Sequence, residues 1–179
     1  MLADQLLYDL SFLADQGKDV FVYDYRGYGN SEGKRRLKAI VSDYRDLFNA
    51  LSTSPHDQKL LYGISFGGIV LLNVMGSGAK FHRAVIDSSP SRVSQMGCPP
   101  EYDTVDNLPT DSSNLMVVSG QKDTVVPPAD MAELIATAKS RGAQVVVSDD
   151  FAHAFMDEEQ PVHRQRQELI KEFLFKSGR

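Results

Sequence analysis

The sequence predicts an α/β fold: a parallel sheet of about five strands with helices on both faces. Three observations carry this. Short, nearly continuous apolar runs recur at 18–24 (KDVFVYD), 59–64 (KLLYGI), 83–88 (RAVIDS), 114–120 (NLMVVSG) and 143–149 (AQVVVSD), as strands covered on both faces require. Segments with apolar residues at helical spacing lie between most of these runs and at both ends of the chain. Finally, 179 residues at 42% hydrophobic composition suffice for one core, so a single domain over 1–179 is expected.

Taken in order, Leu2, Leu6, Leu10 and Leu13 form the apolar stripe of a first helix that ends at Gly17, where glycine readily adopts the left-handed stop. The run 18–24 follows as the first strand. Leu37, Ile40, Val41, Tyr44, Leu47, Phe48 and Leu51 mark a second helix. The strand at 59–64 leads through YGISFGG (62–68) into an unbroken apolar helix, and the strand at 83–88 follows. Residues 88–113 are rich in Ser, Pro and Asp and lack periodicity; a stretch of that length in a compact domain reads as a short lid or loop insertion. After the strand at 114–120, Met131, Leu134, Ile135 and Ala138 define a helix stopped by Gly142. The last strand, 143–149, precedes a helix begun by Pro161 and striped by Val162, Leu169, Ile170 and Phe173.

Charge and cysteine content narrow the function classes. A net charge of −5 with acids and bases interspersed offers no basic stripe for a phosphate backbone, so no nucleic-acid partner is expected. Cys98 is the single cysteine; it allows no intramolecular disulfide, reads as a bystander thiol, and no Cys/His cluster has metal-site spacing. The cytoplasm is the expected compartment, since no leader or membrane segment is visible in the chain, although an upstream signal or anchor is compatible with this reading.

Ser65 stands in Gly63-Ile64-Ser65-Phe66-Gly67, a GxSxG turn between a strand and a helix. Side chains at the two glycines would collide in so tight a turn, and the serine hydroxyl is held up at the strand's carboxyl end. The backbone N–H of Phe66 can then face a developing oxyanion. The structural alternative is a glycine-rich turn that packs for its own sake or holds an anion at the helix N-terminus.

A serine hydroxyl near neutral pH needs a base, and the base needs an orienting carboxylate. His56 and His82 precede strands, at the sheet's far end from Ser65, and His163 sits in a charged stretch at the start of the last helix. His153, in SDDFAHAFMD, follows the last strand on the same side as the Ser65 turn, and is the candidate base. Asp123, in SGQKDTVVPP, follows the fourth run and is the candidate carboxylate, with Asp87 as rival. Asp149 and Asp150 are too close to His153 in sequence to fold back easily.

These residues together resemble the α/β-hydrolase superfamily, in particular its small serine aminopeptidase-like hydrolases. YDYRGYGNSEG (23–33) is similar to that family's turn after the strand preceding the elbow, YGISFGG to the elbow, SGQKDTVVP to the acid loop and FAHAF to the histidine loop. In the first of these, Gly27 and Gly29 permit tight turns and Arg26 anchors neighbouring loops. The resemblance implies an acyl-serine intermediate on Ser65, with His153 as base then acid and Asp123 fixing its tautomer. It implies a small-molecule acyl substrate and no cofactor or metal, while the short 88–113 segment and the lack of a cationic or strongly apolar pocket signature favour small acyl groups.

The resemblance also implies strands ahead of the first helix and a loop carrying a second oxyanion donor, for which this chain, beginning at Met1 in that helix, holds no residue. One expectation is therefore a serine hydrolase acting on an ester, thioester or amide. The other is a catalytically impaired fragment or pseudo-enzyme that keeps the scaffold for binding. Without the preceding strand the sheet would have a vacancy between 18–24 and 59–64. Facing rows of unpaired backbone groups are costly, so direct pairing of 18–24 with 59–64 is expected, or else completion of the sheet in trans by self-association.

Overall fold

The computed structural model describes residues 3–51 and 58–176, so Leu2 and His56 lie outside the described residues. Among these, four strands form one parallel sheet in the order β1 (Leu60–Ile64), β2 (Arg83–Asp87), β3 (Leu115–Gly120) and β4 (Gln144–Ser148). The register sets Ile64 beside Asp87, Asp87 beside Val118 and Val118 beside Val146. All four carboxyl ends therefore open on one edge, where loops can assemble a site.

The period of two in each strand divides the core. Ala84, Ile86, Leu115 and Val117 point to one face, against Leu72 of α4 (Phe66–Gly76) and Leu134 and Ala138 of α5 (Pro128–Ser140). Val85, Met116 and Val118 point to the other, against Leu13 of α2 (Ser11–Ala14) and Ile170 and Phe173 of α6 (Gln160–Phe175). Both faces are covered, which is why the runs are apolar without alternation. No helix among the described residues is long and apolar enough to cross a membrane.

Two expectations are corrected. The first helix is two short turns, α1 (Ala3–Leu6) and α2, because the Ser11 hydroxyl bonds the Tyr8 carbonyl at 2.8 Å and competes with the helical ladder. The segment 18–24 is not a strand, and the sheet has four strands rather than five. A cleft of about 870 Å³ lies between this segment and β1, lined by Val20 and Val22 on one side and Leu60 and Tyr62 on the other. Direct pairing with 59–64 does not occur. The reason lies in how the segment is anchored. α3 (Leu37–Ala50) holds it through Arg26 Nε to Asp43 at 2.7 Å and Tyr44 Oη to the Tyr23 carbonyl at 3.3 Å. The Tyr25 ring, 5.1 Å from Tyr44 and edge-on to Phe66 at 5.2 Å, fixes its far end. Gly27 and Gly29 adopt φ of 77° and 52°, the left-handed turns that the sequence demands of them.

Residues 88–113 contain two 3₁₀ turns, Val93–Met96 and Pro100–Tyr102. Bonds to side chains replace a periodic ladder here: Arg92 Nη1 reaches Asp103 and Asp106 at 3.2 Å each, and Thr104 Oγ1 donates to the Ser91 carbonyl at 2.8 Å. Val93, Val105 and Leu108 are buried, and Cys98 is half-buried with a free thiol.

Candidate active site

β1 ends at Ile64 and α4 begins at Phe66, so Ser65 carries the whole change of direction, at φ 52° and ψ −117°. Such a conformation is costly for a residue with a side chain and persists only where surroundings impose it. The Ser65 amide donates to the Asp87 carbonyl at 2.8 Å, and the Ser65 carbonyl accepts from Gly68 at 3.0 Å. A Cβ on Gly63 would lie 2.9 Å from the Gly67 carbonyl oxygen and from the Gly68 Cα, so only glycine fits there. At Gly67 the nearest atom is the Tyr25 hydroxyl, at 3.3 Å, whereas a Cβ on Gly68 would stand 1.9 Å from Ser89 Oγ. Gly68, just outside the pentapeptide, is thus more constrained than Gly67; the Gly-Gly doublet is the signal that could have revealed it. The Phe66 N–H is among the first of α4, which have no intrahelical acceptor. Burial, reinforced by Tyr44, pushes the Tyr25 hydroxyl well above the usual tyrosine value, so it stays protonated beside Phe66.

Asp123 follows β3. Its Oδ1 accepts the amides of Val125 at 2.9 Å and Val126 at 2.8 Å, which fixes the carboxylate plane, and its Oδ2 lies 2.8 Å from His153 Nδ1. Both side chains are buried. A carboxylate only accepts, so this contact puts the proton of a neutral imidazole on Nδ1 and leaves Nε2 with its lone pair. Ser65 and His153 line the same cleft. The loop bearing His153 comes so close to β3 that a Cβ on Gly120 would lie 2.1 Å from the Phe151 carbonyl oxygen.

Asp87, the rival acid, is not near the imidazole ring in this way. By strand alternation its side chain faces α6, where Oδ2 accepts from Tyr62 Oη at 3.1 Å and lies 3.7 Å from Arg166 Nε. Burial raises its carboxyl, against the opposing pull of Arg166. His82 precedes β2, its amide bonded to the Lys59 carbonyl at 2.8 Å, and His163 lies in α6, 3.9 Å from Asp157. Arg166 itself gave no signal: in HRQRQE it reads as part of a solvated face, yet it is 2% exposed.

The family described as serine aminopeptidase, S33, matches residues 6–110, a stretch that includes the Ser65 turn and stops short of Asp123 and His153. The uncharacterized protein YfhR of Escherichia coli (strain K12) is 25% identical over 174 residues, which cover 88% of this chain and 61% of that one. This chain therefore spans about three fifths of that relative's length. Among solved structures, the Pyrococcus furiosus esterase Pf2001 is 18% identical with a TM-score of 0.73, over 93% of this chain and 74% of that one. XC6422 from Xanthomonas campestris, described as an a/b serine hydrolase without lid, is 18% identical with a TM-score of 0.72, over 98% and 76%. At such identities the likeness is one of fold. Its parallel sheet covered on both faces, its strand-to-helix turn at Ser65 and the family match over the larger part of its length together make this chain a member of the serine aminopeptidase S33 family, with the α/β-hydrolase fold.

Proposed function

We propose that the protein is a serine hydrolase that cleaves a carboxylic ester, thioester or amide through an acyl-serine intermediate. The observation that carries this reading is the buried His153–Asp123 contact of 2.8 Å at the cleft that Ser65 also lines. Ser65 Oγ attacks the carbonyl carbon as its proton passes to His153 Nε2. The resulting oxyanion takes a hydrogen bond from the Phe66 N–H. Collapse of this intermediate breaks the bond to the leaving group, which takes the proton from Nε2. Water then attacks the acyl carbon as its proton passes to Nε2. Collapse breaks the bond from the acyl carbon to Ser65 Oγ, Nε2 returns the proton to Oγ, and the carboxylic acid is released. Asp123 keeps Nδ1–H directed at itself and stabilises the imidazolium. The chemistry draws on no cofactor. The esterase description of one structural neighbour supports an oxygen ester as substrate, and the shortness of the 88–113 segment favours small acyl groups.

Intact-mass measurement after exposure to a fluorophosphonate tests the reaction. One adduct is expected on the folded protein and none on Ser65→Ala; a folded wild-type protein that takes no adduct overturns the proposal. That outcome would favour the second reading, an impaired scaffold that binds without turning over. The open cleft beside β1 favours this alternative, because among the described residues Phe66 is the one donor assigned to the oxyanion, and losing a donor costs about 100- to 1,000-fold in turnover.

A further inference from the structure

We propose that Arg166 is a positioning residue for His153: with Asp87 and Asp157 it forms a buried brace that sets the spacing between the Ser65 turn and the His153 loop. Arg166 Nη2 donates to the Ala152 carbonyl at 2.8 Å, and Nη1 donates to the Asp157 carboxylate at 3.0 and 3.2 Å. The guanidinium lies 4.4 Å above the Phe151 ring. Asp157 Oδ1 also accepts the Ala152 amide at 2.9 Å. Both backbone groups of the residue before His153 are therefore held by this pair. On the other side of His153, the Ala154 amide donates to Ser88 Oγ at 3.3 Å, and Ser88 Oγ donates to Asp87 Oδ1 at 3.2 Å.

Asp87 connects this assembly to the nucleophile turn. Its carbonyl accepts the Ser65 amide at 2.8 Å while its carboxylate meets Tyr62, Ser88 and, at 3.7 Å, Arg166 Nε. That Nε is buried without a hydrogen-bond partner. Arg166, Asp87 and Asp157 are all sunk in the protein, with side-chain exposures of 2%, 0% and 0%. An apolar trio of the same volume would serve stability as well or better, since burying charges costs desolvation. What an apolar trio could not do is grip the Ala152 amide and carbonyl directionally, and the fork of arginine suits that task where lysine does not. The brace thus acts on geometry: it holds the imidazole against Asp123 and facing Ser65.

This inference rests on the hydrolase reading for its consequence but not for its test. The histidine ring is ¹⁵N-labelled, and the Nδ1–H resonance of His153 is followed in wild type, Arg166→Lys and Ser88→Ala, alongside thermal melting, fluorophosphonate labelling rate and ester kcat and KM. In folded Arg166→Lys the Nδ1–H signal should broaden through solvent exchange, and labelling rate and kcat should fall by up to about 100-fold with KM little changed, as a misplacement near 1 Å can produce. A wild-type signal and rate in that variant, even with lower melting, would show a merely structural role and overturn the proposal. If Arg166→Lys fails to fold, Ser88→Ala is read by the same criteria. If wild type takes no adduct, the hydrolase reading fails alone, and the Nδ1–H signal still decides the brace: lost in the variant it supports it, retained it overturns it.

Discussion

Asp123 Oδ2 lies 2.8 Å from His153 Nδ1, while Asp87, the rival acid at the carboxyl edge of the sheet, turns away to Tyr62 and Arg166. The two carboxylates thus have separate partners and, in the proposed mechanism, separable roles. Asp123→Asn presents an amide where an acceptor is needed and should lower kcat by about 1,000- to 10,000-fold. Asp87→Asn touches only the brace and should cost no more than about 100-fold. Steady-state kinetics on a nitrophenyl ester compares them; the reverse ranking would reassign the acid.

Gly120 ends β3 where the His153 loop crosses it, with the Phe151 carbonyl 2.1 Å from the place a Cβ would take. That neighbour is backbone, so it yields only if the loop moves. Gly120→Ala should destabilise by about 1–3 kcal/mol and slow serine labelling beyond the loss of folded protein. Urea unfolding together with labelling at low denaturant measures both.

Leu134 is fully buried between α5 and the sheet face that carries Ile86 and Val117. Leu134→Ala removes that packing at a position that does not line the cleft of Ser65 and His153. It should cost about 2–5 kcal/mol of stability and leave kcat per folded molecule unchanged, as a melt and an assay at low temperature would show.

Asp103 predicts an acid dependence. Burial acts to raise its carboxyl, but the Ser94 amide at 2.8 Å, the Ser94 hydroxyl at 2.7 Å and Arg92 at 3.2 Å outweigh it and hold the group below its ordinary value. A carboxyl depressed in the fold stabilises above its unfolded pKa of about 3.9 and loses that contribution as pH falls through the lower folded value. Asp103→Asn should therefore flatten the acid limb of stability against pH, read from urea midpoints. Asp87, raised by burial, acts with the opposite sign: its contribution is greatest at low pH and is lost as pH rises through its folded value.

By itself the sequence determined the parts whose signals are local. Apolar runs without alternation specified β1 to β4 as strands covered on both faces, and Leu37 to Leu51 and Met131 to Ala138 gave their helices by spacing. The pentapeptide around Ser65 specified the turn, because the clash that a Cβ on Gly63 would make with the Gly67 carbonyl arises within one short segment. Position at the carboxyl ends of the strands then offered His153 as candidate base and Asp123 as candidate acid, with Asp87 as rival. Only the tertiary structure decided what depends on neighbours distant in sequence. KDVFVYD has a strand's composition, but a ladder needs a partner at hydrogen-bonding distance, and the anchoring of this segment to α3 and Phe66 holds it across the cleft from β1. The Gly67-Gly68 doublet hints at a constraint, but that Ser89 requires Gly68 and Phe151 requires Gly120 is set by neighbours distant in sequence. Arg166 looks solvated in its own helix, and becomes a buried brace because strand alternation brings Asp87 beneath it and the loop after β4 brings Asp157 beside it. Local sterics and periodicity are written in one dimension; pairing, close approach and burial of charge are set by which surfaces meet.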